Sequence, residues 1–595
     1  MYSVIGGVCD SLAQCVLNGV EHLRKEVFYI KKQTYENKMI TDLRNLIETS
    51  AALYGDKPRY VFKDKKTRKD TNFSYNDFLR EMNAAGTAFS TLDLMGKTVA
   101  VIGDTHPLYV VTYFAVVNGN GMIVPLDKEI NDDELVNFLI RSHSEAVVFT
   151  ESQNARMAAI ADRVPGIRYF IPITPADSDE GKDRVLSWEA LQKKGEEELA
   201  KGNRTYLDLE LDLEKPCALL FTSGTTGTSK GILLSQNNLA AATNSSCLSM
   251  HHITDETRLL SVLPINHTYE MTCGHLAAAN KGCTTYINDS IKYVTKNLAS
   301  FKPTAILFVP LFVETLYKRI WDNIEKKGIT KKVKTAMKIS NFLRHFGIDM
   351  RKKFFGEILS VFGGELESIV CGGAPLDQRL IDDFDAFGIP ILNGYGITEC
   401  APLVAVNRLD KRRAGTVGTP VERCEVKVDL DEGQDTGEIL VKGGNVMLGY
   451  FEDPDATAEV FTEDGWFKTG DVGFVDKDGF VHITGRKKNI IILSNGKNIY
   501  PEEIEQYLAP IALIKECVVV GRKNAVGEIV ITALIYPDEE KTEGMTAEAI
   551  YNKLKEEVNE INKELPVFKQ IHEVEVRETE FEKTTTKKIK RYKVQ

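Results

Sequence analysis

Cys217-Ala218-Leu219-Leu220-Phe221-Thr222-Ser223-Gly224-Thr225-Thr226-Gly227-Thr228-Ser229-Lys230-Gly231 is the stretch of this chain that decides its reading. A short apolar run reads as a buried strand, and a loop built almost wholly of glycine and hydroxyl residues follows it at once. Glycines such as Gly224 and Gly227 let the backbone turn tightly enough for several N–H groups to face one anion. The hydroxyls of Thr222, Ser223, Thr225 and Thr226 add donors, and Lys230 adds positive charge. These features define a phosphate loop. It is not Walker A, because no Gly-Lys-Ser/Thr stands at the required spacing.

Upstream of that loop, residues 98–150 alternate apolar strands with helical stretches, in the order TVAVIGD, YVVTYFAVVNGNGMIVPLD, a helix and AVVFT. Such alternation predicts a largely parallel, helix-covered sheet. The runs CALLFTSG, AILFVP and SIVCGGAP read as a second unit of the same kind. Residues 410–485 differ: short strands (EVKVDL, GEILVKG, GFVHITG) separated by turn signals such as DKDG predict a small antiparallel unit. After Arg486 the strands IIIL, ECVVVG and VITALIYP interleave with helices as a compact α/β tail. The expected class is α/β, with a large N-terminal domain of two α/β subdomains plus a small β unit, and a small mobile α/β C-terminal domain. The expected boundaries are a helical extension over 1–40, the large domain over 41–486 and the small domain over 487–595.

Composition sets outer limits. A chain of 595 residues exceeds a single core. Its net charge of -11 argues against a general nucleic-acid binder, which shows a basic face. Ten cysteines without a CxxC pair read as reduced thiols of a cytosolic protein. No apolar run reaches the roughly 20 residues of a membrane span, and no secretory signal pattern opens the chain. Val4, Val8, Leu12, Val16 and Val20 share one helical stripe, which fits packing on the protein itself, on a second subunit in an oligomer, or on a membrane surface. In 326–353 ten Lys or Arg residues face only Asp349. That run is either a solvated helix face or a patch that meets an anionic ligand or an anionic membrane surface.

Five further motifs follow in order: Cys371-Gly372-Gly373-Ala374-Pro375, Asn393-Gly394-Tyr395-Gly396-Ile397-Thr398-Glu399, Trp466-Phe467-Lys468-Thr469-Gly470-Asp471, Gly485-Arg486-Lys487-Lys488 and Lys588-Ile589-Lys590-Arg591. With the phosphate loop, this series resembles the signatures of the adenylate-forming, AMP-binding superfamily, and within it the bacterial-type long-chain fatty acyl-CoA synthetases. The resemblance runs from about residue 40 to the end and implies ATP, Mg2+ and CoA as cosubstrates and cofactor. It implies two half-reactions, acyl-AMP formation and then thiol attack, with rotation of the C-terminal domain between them.

Chemistry matches each motif to a task. A carboxylate must attack an anionic α-phosphorus, so positioning and charge neutralisation supply most of the catalysis. Glu399 is the expected magnesium ligand, a hard carboxylate for a hard cation, and Thr398 can bond the α-phosphate. Tyr395 offers a ring face to adenine, and the backbone around Gly373, Ala374 and Asn393 its edge partners; Pro375, Gly394 and Gly396 complete the two nucleotide motifs. Asp471 can accept from both ribose hydroxyls, and Arg486 can donate to the same sugar.

The resemblance makes Lys588 the catalytic lysine of adenylation, although Lys587 stands where many relatives carry Gly, so the register between them stays open. It makes Lys488 the hinge. His267, in Leu263-Pro264-Ile265-Asn266-His267-Thr268-Tyr269-Glu270, matches a motif beside the acyl site, as a gate or orienting group and not as a base. The segment Lys302-Pro303-Thr304-Ala305-Ile306-Leu307-Phe308-Val309-Pro310 and the helical stretch to about Ser360 resemble the long-chain enzymes' insertion. The expected activity is therefore AMP-forming ligation of a medium- or long-chain fatty acid to CoA, in the cytoplasm or peripherally on the inner membrane surface. Two rivals are a fatty acyl-AMP ligase that loads an acyl carrier protein and a non-catalytic AMP- or acyl-binding protein.

Overall fold

The computed structural model describes residues 39–64, 67, 69–176, 183–222, 229–430, 432–493, 497–524, 527–583 and 589–594. The N-terminal stripe, the phosphate-loop residues Ser223, Gly224, Thr225, Thr226 and Gly227, and both Lys587 and Lys588 lie outside these residues.

Two large sheets and three small ones organise the described residues. The first runs, edge to edge, through Gly449–Tyr450, Lys230–Ser235, Pro216–Thr222, Met122–Leu126, Thr98–Ile102, Ala146–Phe149 and Tyr169–Pro172. Its central strands are parallel, as the alternation in 98–150 predicts. Parallel strands buried on both faces need continuous apolar runs, and Thr98–Ile102 and Ala146–Phe149 are such runs, buried almost throughout. The Pro107–Val117 helix between them starts on proline at its first turn, is capped by His106, and buries nearly every residue.

The second sheet orders Thr419–Pro420, Leu403–Val406, Ile391–Gly396, Ser368–Cys371, Ala305–Phe308, Arg258–Ser261, Thr284–Ile287, Pro58–Lys63 and Asp70–Ser74. Here the structure departs from the sequence reading. CALLFT belongs to the first sheet, pairing parallel to Met122–Leu126 through Ala218, while AILF and SIVC belong to the second. Two strands from near the start of the large domain, Pro58–Lys63 and Asp70–Ser74, close the far edge of that second sheet. Sheet membership is set by long crossovers, which local periodicity does not encode.

The four-stranded antiparallel unit Cys424–Asp429, Gly437–Gly443, Phe467–Val475 and Val481–Arg486 stands where turn-rich sequence predicts it. Beyond it, Ile514–Lys523 and Ile529–Pro537 form a long antiparallel pair, packed by the Pro501–Leu508 and Ala547–Glu564 helices around their own apolar core. Glu573–Val576 adds a third, parallel strand that the sequence reading does not contain. The stretch before CGGAP is helical as expected: Pro310–Lys326, Thr330–Arg344, Arg351–Phe354 and Gly356–Val361. No helix among the described residues is long and apolar enough to cross a membrane.

Candidate active site

The candidate residues gather where strands of both large sheets end at their carboxyl termini, the usual place for ligands on open parallel sheets. Pro216–Thr222 leads into the phosphate loop and Lys230–Ser235 returns from it antiparallel, with Thr222 paired to Lys230. The loop thus joins two strands, unlike a Walker loop, which opens a helix. Its stem is rigid: Phe221 stacks on Phe138 at 4.3 Å, and Arg141 donates to the Ser229 carbonyl at 3.3 Å.

Ser368–Cys371 ends in Gly372–Pro375. Gly373 has φ +89°, which a residue with a side chain rarely adopts, and Gly373, Ala374 and Pro375 are exposed. The neighbouring strand Ile391–Gly396 carries Asn393, Gly394, Tyr395 and Gly396. A Cβ on Gly396 would stand 2.4 Å from the Pro402 carbonyl oxygen, so only glycine lets the return strand approach this closely. The Asn393 carbonyl already accepts from the Asn407 N–H at 2.9 Å. The exposed backbone at Gly373 and Ala374 therefore has the most free edge to offer a base.

Tyr395, Asp471 and Arg486 converge although 76 residues separate the first two. The Tyr395 hydroxyl donates to Asp471 Oδ2 at 2.5 Å, and Arg486 Nε donates to Oδ1 at 2.6 Å. Asp471 and Arg486 face each other across the Phe467–Val475 and Val481–Arg486 ladder. Asp471 is only 3% exposed, so its charge needs these partners. Burial, and then the adjoining Asp471 carboxylate, push the Tyr395 phenol well above its ordinary range. An ionised carboxylate has about four acceptor positions. Tyr395 and Arg486 each use one of them.

Glu399 opens a second cluster. Thr398–Cys400 is a short turn directly after the tyrosine strand, so Thr398 and Glu399 sit beside Tyr395. The Tyr450 hydroxyl donates to Glu399 Oε1 at 3.4 Å, and Lys230 Nζ lies 4.4 Å from the Tyr450 ring centre. Burial raises the Glu399 carboxyl, opposed by its own backbone and by Arg486. No group of three or more His, Cys, Asp or Glu able to hold a metal exists among the described residues. The donor set still fits a hard cation, since a divalent ion on one desolvated carboxylate takes the rest of its shell from phosphate oxygens and water. Tyr450, which joins Glu399 to the lysine after the phosphate loop, is absent from the sequence reading. Its only signal is the Gly449-Tyr450 pair, which becomes meaningful once it pairs with Lys230–Ser235.

His267 stands just before an eight-residue π-helix, Tyr269–Leu276. The Tyr269 hydroxyl donates to the Val370 carbonyl at 3.1 Å, which anchors the His267 segment to the strand that leads into Gly372–Pro375. Below it lies a buried polar group that sequence does not reveal. Ser261 donates to Glu270 at 2.5 Å, His275 Nε2 is 3.7 Å from Glu270, and Tyr60 bonds His275 Nδ1 at 3.0 Å. Burial drives Glu270 up to about 8 and His275 down to about 3. The pair is thus held as neutral acid and neutral imidazole. π-Helical turns concentrate at functional sites.

Lys488 lies in the Lys487–Asn489 turn where the small β unit hands over to the C-terminal sheet. Burial of its ammonium and the nearby Arg486 draw it down to about 8, against the attraction of Asp471 and Glu502. Next to it, Lys487 pairs with Glu438 at 2.7 Å, and Glu438 also accepts from the Gly470 N–H at 3.0 Å. The turn is therefore tied to the Phe467–Val475 strand at the residue before Asp471.

The profile of the AMP-binding enzyme family matches residues 47–451, and that of the AMP-binding enzyme C-terminal domain matches 488–595. The chain belongs to the AMP-binding enzyme family, and within it is an AMP-forming acid–CoA ligase. It is 31% identical over 493 residues to a long-chain-fatty-acid–CoA ligase of Mycobacterium bovis, across 80% of this chain and 78% of that one. It is equally 31% identical over 453 residues to an indoleacetate–CoA ligase of Aromatoleum aromaticum, across 75% of this chain and 79% of that one. An anthranilate CoA ligase solved with anthranoyl-AMP shares the fold at TM-score 0.71 and 20% identity, over 93% of this chain and 97% of that one.

Proposed function

We propose that the protein activates a medium- or long-chain fatty acid as acyl-AMP and transfers it to CoA, using Mg2+. The observation that carries the chemistry is the convergence of Tyr395, Asp471 and Arg486 beside Glu399. One side of this site suits adenine and ribose, and the other suits charged phosphate. Asp471 takes the ribose hydroxyls, Tyr395 faces the adenine, and Arg486 both steadies Asp471 and reaches the sugar. Thr398 bonds the α-phosphate, and Thr222, Ser223, Gly224, Thr225, Thr226, Gly227 and Lys230 hold the remaining phosphates. A magnesium ion on Glu399 would neutralise phosphate charge when bound. Lys588 neutralises the developing charge between carboxylate and α-phosphate. No general base is needed, because the ionised acid is itself the nucleophile.

The substrate class rests on two supports. A long-chain-fatty-acid–CoA ligase is among the relatives, and the helical block from Pro310 to Val361 stands where the long-chain resemblance puts an insertion. The indoleacetate relative makes an aryl acid the alternative. Pyrophosphate release measured over acids from acetate to stearate tests the point. Each added methylene buried in the acyl site contributes about 0.8 kcal/mol, so kcat/KM climbs with length until the site is filled. A peak at acetate or at an aryl acid refutes the fatty-acid reading, and faster transfer to acyl carrier protein than to CoA refutes the acceptor.

A further inference from the structure

The Thr330–Arg344 helix has two apolar faces, and one helix face is enough to join a core. Val333, Ala336 and Met337 pack inward against the cluster built on Ile306, Phe308 and Phe384. On the opposite side the helix carries Ile339 and Phe342, and Phe346 in the turn after it and Ile348 just beyond extend the apolar side chains. Phe342 is 63% and Phe346 67% exposed, and their rings lie edge to face at 5.2 Å. A contiguous aromatic patch of this kind in water marks an interaction surface.

The charge around the patch identifies the partner. Lys331, Lys332 and Lys338 border the same outer face and make no ion pair with any described residue. Other cations of this stretch are paired: Lys327 with Glu357, Arg344 with Asp385 and Arg351 with Asp349. A protein of net charge -11 thus concentrates unpaired positive charge around outward-facing phenylalanines. We propose that this face docks the protein on an anionic lipid bilayer. The phenylalanines enter the boundary between headgroups and acyl chains, while the lysine stems lie along it with their ammonium groups at the lipid phosphates. The inference does not depend on which acid is activated.

Sedimentation with phosphatidylcholine vesicles, and with vesicles of equal phosphatidylcholine and phosphatidylglycerol, at about 0.05 M and about 0.5 M salt tests it. The full-length protein is expected to pellet with the anionic vesicles and to lose most of that binding at high salt. Lys331→Glu/Lys332→Glu/Lys338→Glu is expected to weaken binding on the order of a hundredfold at low salt. Phe342→Ser/Phe346→Ser removes the salt-resistant remainder, and both variants keep wild-type turnover of a water-soluble acid, which shows that they fold. Equal pelleting with neutral and anionic vesicles overturns the proposal. So does loss of binding only in Leu12→Asp/Val16→Asp, which would assign the membrane contact to the N-terminal segment. Wild-type dimers that Phe342→Ser/Phe346→Ser dissolves, without vesicle binding, would show instead that the face joins copies of this chain.

Discussion

Asp471→Ala removes the group on which the nucleotide geometry turns, and the structure sets the size of the effect. The carboxylate is almost fully buried and holds Tyr395 at 2.5 Å and Arg486 at 2.6 Å, and its proposed role adds the two ribose hydroxyls as donors. A hydrogen bond to a charged group contributes about 1.5–3 kcal/mol, so two such bonds to ribose set an upper bound near 3–6 kcal/mol. Water entering the space left by the side chain recovers part of this. The expected loss is about 2–4 kcal/mol, or roughly 30- to 1000-fold in kcat/KM for ATP. Measuring kcat/KM with ATP and with 2′-deoxy-ATP separates binding from scaffolding. The wild-type enzyme is expected to favour ATP on the order of tenfold or more, because the deoxy sugar lacks one donor. The variant is expected to treat the two nucleotides nearly alike. Tyr395→Phe leaves the carboxylate and Arg486 in place, so it keeps the preference for ATP. If Asp471→Ala loses activity yet preserves the wild-type ATP to 2′-deoxy-ATP ratio, Asp471 supports Tyr395 and does not touch the sugar.

Lys588→Ala is expected to abolish adenylation while sparing thioester formation from supplied acyl-AMP, because the proposed role uses its charge only in the first half-reaction; equal loss of both steps, or the same phenotype from Lys587→Ala instead, contradicts the assignment. Lys488→Pro fixes φ at the proposed hinge, so acyl-AMP should still form while transfer to CoA slows. Unchanged overall turnover removes Lys488 as the hinge. Stability should depend on pH through Glu270 and His275, whose ordinary values are 4.5 and 6.5 and which stand near 8 and 3 in the fold. Between pH 6.5 and 8 the native pair holds one proton that the unfolded chain has released, so stability falls as pH rises, by about 1.4 kcal/mol per pH unit and about 2 kcal/mol in all. From 4.5 to 6.5 both states hold one proton and the contribution is flat; below 4.5 the unfolded chain binds the extra proton and stability falls as pH drops. Urea unfolding of Glu270→Gln should lose the decline above pH 6.5, and an unchanged decline would show that another group causes it.

The sequence carries local information well and long-range pairing poorly. Glycine, hydroxyl and carboxylate motifs locate Thr222, Tyr395, Glu399 and Asp471 because each needs a particular residue type at a fixed offset. They do not say that Tyr395 reaches Asp471, since that contact depends on how the antiparallel unit sits beside the second sheet. The expected grouping of CALLFT with AILF and SIVC fails for the same reason: a strand's apolar pattern is identical whichever sheet buries it. Tyr450 escapes notice because a single aromatic next to a glycine has no pattern. Glu270 escapes because a glutamate is ordinarily a surface residue, and only the π-helix and Ser261 reveal that it is buried. The strand Glu573–Val576 alternates charged and apolar residues over only four positions, too few to stand out beside the helix before it.

Adenylation of a fatty acid leaves a mark that no other route to the thioester leaves. In forming acyl-AMP, a carboxylate oxygen of the acid becomes a phosphate oxygen of AMP, while pyrophosphate departs unlabelled. Dodecanoate labelled with heavy oxygen in its carboxylate, incubated with the enzyme, ATP, Mg2+ and CoA, is the direct measurement. One labelled oxygen is expected in each AMP released, together with dodecanoyl-CoA. Label in pyrophosphate or inorganic phosphate, or AMP labelled only when an aryl acid replaces the dodecanoate, would contradict it.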